Sequence, residues 1–114
     1  MSNKNKLVAL EVAQQLIHLL RPLLEQISRK DSDLGAQGRS AGSSVLLNIC
    51  EGNRRVGKDR PHLFRVAAGS AGEIDGILIT ADAWGYLAVG AADEARLLCD
   101  RLLGLLWGLT NPRR

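Results

Sequence analysis

The sequence predicts an all-α chain, an up-down-up-down antiparallel four-helix bundle formed as a single domain over residues 1–114. Three observations carry this. The 114 residues are 46% hydrophobic but only 4% aromatic, and leucine-rich, ring-poor sequence packs as helices more readily than as a sheet. Apolar residues recur at three- and four-residue spacing in four separate stretches, the period of a helix face. Short polar or glycine-containing segments separate those stretches, which leaves consecutive helices antiparallel.

The first helix is expected over about residues 5–29. Leu10, Ala13, Ile17, Leu20, Leu24 and Ile27 form one seam, and Val12, Leu16, Leu19 and Leu23 make a second row beside it. Pro22 removes a hydrogen bond to the carbonyl of His18 and predicts a kink. After a polar turn, the second helix is expected over 34–53 with Leu34, Ala41, Val45 and Ile49 inward. Its Gly35, Gly38 and Gly42 stand among serines. Each glycine costs about 0.5–1 kcal/mol relative to alanine, so tertiary packing has to hold this helix.

A basic, polar connector follows. Asp59 and Pro61 then mark a helix start, a capping acid with a proline in the first turn. The third helix, expected over 60–85, places Leu63, Ala67, Ser70, Ile74, Ile77, Ala81 and Trp84 on one seam. Gly69, Gly72 and Gly76 form a parallel row open to close approach by another backbone. Gly85 closes the helix. The fourth, about 93–109, carries Ala95, Leu98, Leu102, Leu105 and Leu109, widened by Cys99, Leu103 and Leu106, and Thr110-Asn-Pro ends it.

A four-helix monomer needs one buried seam per helix. The extra rows, Val12, Leu16, Leu19 and Leu23 with Cys99, Leu103 and Leu106, are therefore expected to form an oligomer interface. Homo-oligomerisation is the expected supplement to so small a core, since neither a disulfide framework nor a metal-ligand cluster is visible. Row geometry alone fits a dimer as well as a ring. Two cysteines, no signal peptide and no apolar run near 18 residues point to a soluble protein of the reducing cytoplasm, with no membrane partner.

Catalytic signatures are weak. Gly52-x-x-x-x-Gly57-Lys58 falls short of a phosphate-binding loop, because Asp59 stands where magnesium needs Ser or Thr and a helix precedes it instead of a strand. His18 and His62 have no ligand partners at metal spacing, so neither metal nor cofactor is expected. Cys50 and Cys99 read as core thiols, and no nucleophile elbow is present. Glu51 and Glu73 fall about 16 Å apart by helix rise once the second and third helices are paired, too far for shared acid–base work. Structural roles follow instead: Glu51 accepting N–H groups at the start of the third helix, with Asn48 adding a second polar contact, and Glu73, Gln37 and Arg39 in a partly buried polar cluster near Ser70. No enzymatic activity and no small-molecule substrate are expected, a small hydrolase or nucleotide-binding protein being the least favoured alternative.

The stretch Gln37-Gly-Arg-Ser-Ala-Gly-Ser-Ser-Val-Leu-Leu-Asn-Ile-Cys-Glu-Gly52 resembles the Q-x-x-R-A-x-x-S-I-x-x-N-I-A-E-G signature of a bacterial four-helix-bundle family encoded in intervening sequences of 23S ribosomal RNA genes. Residues 63–73 are similar to its F-L-x-x-A-x-G-S-x-x-E, and Gly85-Tyr86-Leu87 to its L-G-Y-L close. Ser40, Leu46 and Ala68 stand where the family has Arg, Pro and Arg. The resemblance implies a homo-oligomeric ring, commonly a pentamer, without established catalysis.

Net charge is +3, from fifteen Lys and Arg against twelve Asp and Glu. Bundle topology brings the N-terminus, the second turn and the C-terminus to one end. Lys4, Lys6, Arg54, Arg55, Lys58, Arg60, Arg113 and Arg114 converge there against Glu51 and Asp59, a formal +6 that leaves −3 for the remainder. Such an end suits weak recognition of a phosphate backbone. The expectation is a non-enzymatic oligomeric scaffold or adaptor docking RNA or a nucleoprotein; the alternative is a protein–protein assembly module whose charge serves only solubility.

Overall fold

A computed structural model describes residues 2–111, with side chains from residue 5 onward. Among these residues it contains four helices, α1 (Ser2–Lys30), α2 (Ser32–Arg54), α3 (Asp59–Ala83) and α4 (Asp93–Thr110), and no strand. Each helix packs on the next and α4 closes back on α1, giving a square antiparallel bundle 45 × 22 × 18 Å in extent.

Asp31 alone separates α1 from α2. Its N–H still reaches the Ile27 carbonyl at 2.7 Å, while its extended backbone turns the chain and its Oδ1 accepts the Leu34 N–H at 3.0 Å. One residue thus ends one helix and caps the next, which is why α2 starts two positions before the expected boundary. The helix α1 continues unbroken through Pro22, whose ring lies on the exposed side. At the other end of α3, Gly85 takes φ +77°. The Tyr86 N–H then bonds the Ala81 carbonyl at 2.9 Å and the Gly85 N–H that of Asp82 at 3.0 Å, closing the helix with a left-handed glycine as expected.

The core corrects the assignment of rows. Val12, Leu16, Leu23, Cys99 and Leu106, expected at an oligomer interface, are buried within the chain's own core. Leu19 and Leu103 sit half-buried at its edge. A helix in a square bundle touches two neighbours, so its buried arc spans both adjacent rows and leaves no spare one. Accordingly Leu10, Ile17, Leu98, Leu105 and Leu109 are only partly covered. In α3 Ala67, Ile74, Ile77 and Ala81 are buried as expected, Phe64, Ala71 and Leu78 are buried beside the half-buried Leu63 and Ser70, and Trp84 lies exposed just beyond the helix.

Glycine in α2 is a packing device. A Cβ at Gly35 would run into Ser28, and one at Gly38 into Leu24. At Gly42 it would meet Ile17 Cδ1 at 2.9 Å, and at Gly52 the Phe64 ring at 2.7 Å. Gly69, Gly72 and Gly76 of α3 behave differently. Among the described residues nothing lies within 4 Å of a Cβ at any of them, nor at Gly104 or Gly108 of α4, and none brings its backbone onto the expected approach row.

Candidate functional site

The bundle sets the start of α1, the α2–α3 turn and the end of α4 at one end. There Arg54, Arg55 and Lys58 are exposed and Lys6 and Arg60 half-buried, with the Arg60 guanidinium 6.0 Å from the Phe64 ring centroid. The side chain of Lys4, and Arg113 and Arg114 entirely, lie outside the described residues.

These cations are not equivalent. Arg55 closes the last turn of α2 and holds two carboxylates, Glu51 Oε2 at 2.8 Å and Asp59 Oδ2 at 3.1 Å, each four residues away. Glu51 therefore does not cap α3. Its own helix supplies a cation one turn on, and that pairing displaces the inter-helix contact. Asp59 is likewise turned to Arg55, and the residue at the cap position, Lys58, makes no side-chain cap bond. The local acid is thus spent on Arg55. Among the described residues, Arg54, Lys58, Arg60 and Lys6 have no carboxylate within ion-pair distance.

The polar residues between α2 and α3 also differ from expectation. Gln37 and Glu73 are both exposed, and Arg39 donates to Ser28 Oγ at 3.0 Å, so the expected Gln37–Arg39–Glu73 cluster does not form. The link is instead a 2.7 Å hydrogen bond between Ser44 and Ser70. Asn48 donates to the Ser44 carbonyl at 2.8 Å and to its hydroxyl at 3.2 Å, rather than reaching the start of α3. Ser44 was the missed member. Its signal was readable, for it lies one turn before Asn48 and on the same side of α2.

On the opposite side, between α3 and α4, Arg96 Nε donates to Asp75 Oδ1 at 2.8 Å. That hydrogen bond, with the Asp75 charge, raises the Arg96 pKa above its ordinary value. Asp93, Leu97 and Asp100 surround this pair. Cys99 is buried, and desolvation pushes its thiol up to about 12, which makes it a poor nucleophile. Cys50, expected in the core, is exposed on α2. Among the described residues no three His, Cys, Asp or Glu side chains group as metal ligands. The Gly52–Lys58 stretch is the end of one helix and a turn into another, without the strand that a phosphate-binding loop requires. By length and composition Asn5–Lys30 is apolar enough to cross a membrane, yet its apolar stripe packs on α2 and α4.

Together these features present unpaired cations at one end and an exposed side, α3–α4, of unusually small residues. No curated protein and no solved structure matches the chain. A family model does, over residues 5–108, and its description agrees with the helix-two and helix-three signatures: the chain belongs to the 23S rRNA-intervening sequence protein family.

Proposed function

We propose that the protein is a non-enzymatic, homo-oligomeric helical scaffold that docks RNA, free or within a nucleoprotein, through its basic end. The observation that carries the RNA reading is the division of charge at the α2–α3 turn. Arg55 absorbs both nearby carboxylates, leaving Arg54 and Lys58 exposed and unneutralised beside Arg60 and Lys6. Spaced, uncompensated cations without aromatic platforms suit a phosphate backbone rather than base-specific recognition.

Self-association is supported by a different surface from the rows first assigned to it. Ile79, Leu97 and Trp107 are exposed on the side that carries the open glycines of α3 and α4, and family membership favours a ring, commonly of five subunits. Light scattering on dilute protein is expected to give a mass several times 12.3 kDa.

Binding of generic RNA, followed by fluorescence anisotropy across a salt series, tests the docking. Wild type is expected to bind at low salt with a steep salt dependence. Arg54→Glu with Lys58→Glu is expected to abolish binding, and neutral replacement of the pair to lower the salt slope by about 2. Undiminished binding by the Glu variant removes this end as the site. No binding by wild type at low salt leaves the protein-only assembly reading.

A further inference from the structure

The groove between α1 and α2 has a floor but no lid. Gly38 and Gly42 carry no side chain on its α2 wall, so the methyl groups of Leu20 and Leu24 form its base. Its volume is about 270 Å³, below the roughly 300–1,000 Å³ that drug-sized ligands occupy and suited to one inserted side chain. Arg21 and Arg39 flank it against a single carboxylate, Glu25. Neither arginine forms an ion pair with any described residue, so the rim is positive.

The complementary shape lies on the other side of the bundle. Leu97 of α4 is 69% exposed, with Asp93 and Glu94 about one helical turn before it and Asp100 and Arg101 about one turn after it, three carboxylates against one cation. Asp75 is taken up by Arg96, but Asp93 and Asp100 form no ion pair with any described residue. An apolar knob with an acidic rim therefore faces outward opposite an apolar socket with a basic rim.

We propose that these two features meet between copies of the chain: Leu97 of one subunit seats in the α1–α2 groove of the next, with Asp93 and Asp100 against Arg21 and Arg39. This rests on the homo-oligomeric reading above and specifies it. The contact is head-to-tail, because knob and socket are different surfaces, and it propagates around a ring wherever the rotation closes. The like-signed rims also disfavour knob-to-knob and socket-to-socket pairing.

Light scattering on charge variants and disulfide trapping test it. All the substituted positions are exposed or line the open groove, and circular dichroism verifies the helices of each variant. Leu97→Asp and Arg39→Glu are each expected to drop the mass to that of one chain. Arg39→Glu combined with Asp100→Arg is expected to restore the oligomer, which no merely structural role for either residue predicts. In a Cys50→Ser background, differently tagged chains carrying Leu97→Cys and Ser43→Cys, co-expressed and oxidised, are expected to cross-link to each other and neither to itself. An oligomer whose mass survives both single substitutions overturns the contact and hands the groove to another occupant, as does a Leu97→Cys self-cross-link. Wild type at 12.3 kDa overturns the homo-oligomeric reading itself, and this contact with it.

Discussion

Glycine is used in opposite ways on two sides of this bundle. In α2, Gly35, Gly38, Gly42 and Gly52 face inward, and each sits where a Cβ would press on a neighbouring helix. In α3 and α4, Gly69, Gly72, Gly76, Gly104 and Gly108 face outward, with none of the described residues within 4 Å of a Cβ there. Each glycine lowers helix stability by about the same 0.5–1 kcal/mol. In α2 the loss is offset inside the monomer by close packing on α1 and α3. On α3–α4 nothing within the monomer offsets it. The difference separates residues explained by the fold from residues that the fold alone leaves unexplained.

The sharpest break of that comparison is at Gly52. A Cβ there meets Phe64 Cε1 at 2.7 Å and Cζ at 3.0 Å, and Phe64 is fully buried, so the ring has nowhere to swing. Gly52→Ala is expected to destabilise by about 1–2 kcal/mol, overpacking outweighing the helix propensity of alanine. Gly42→Ala is the control, because its clash is with the terminal Ile17 Cδ1 at 2.9 Å, which rotates away at little cost. Urea unfolding of the two variants should place Gly52→Ala well below Gly42→Ala. Equal midpoints would show that glycine at Gly52 is not held by packing.

The cysteines extend the contrast of inward and outward faces. Cys50 is exposed and Cys99 buried, so a thiol reagent is expected to label one site in the native protein and two after unfolding. In the unfolded chain Cys99 ionises near its ordinary 9.0, whereas in the core it keeps its proton to about 12. Between those values the unfolded chain sheds a proton that the folded chain retains. The stability contribution is intact below pH 9 and is lost as pH rises toward 12, by at most about 1.4 kcal/mol per pH unit. Cys99→Ala removes this dependence at the expense of a small cavity. Its stability deficit against wild type, measured by denaturant titration, is therefore expected to narrow between pH 9 and pH 10, and a constant deficit would contradict the assignment.

Most of the fold was legible because its determinants are local. Three- and four-residue periodicity found the four helices, and the polar turn after α1, Asp59 with Pro61, and Gly85 marked turns that the structure realises within about two residues of the expected bounds. The centre of each buried arc was not legible. Leu63 and Phe64 are adjacent and both apolar, as are the two rows of α1, and only the positions of two neighbouring helices decide which is covered. Reading those rows as surplus assigned five core residues to an interface. The site failed by a related route. Antiparallel pairing put Glu51 at the start of α3, but Arg55 stands four residues from both Glu51 and Asp59, and that shorter-range pairing wins. The i,i+4 spacing was visible in the sequence and is the more dependable signal at a helix end.

The smallest expected effect concerns the outward glycines, and it separates the fold from the assembly. Gly72 lies mid-helix in α3 with open space before it, so Gly72→Ala adds a methyl that touches nothing in the monomer and removes backbone freedom from the unfolded chain. The isolated subunit is expected to gain about 0.5–1 kcal/mol, read as a higher urea midpoint at concentrations where the chain is monomeric. If the α3–α4 side packs closely against a second copy, the same methyl is an obstruction there, and the oligomer is expected to dissociate at a higher protein concentration than wild type. Gly104→Ala, on the same side in α4, should behave alike. Raised subunit stability with weakened assembly at both positions fits a close-packed interface. Raised stability with assembly untouched confines the subunit contact to other parts of the surface, and lowered stability would mean that these helices need glycine for a reason internal to the chain.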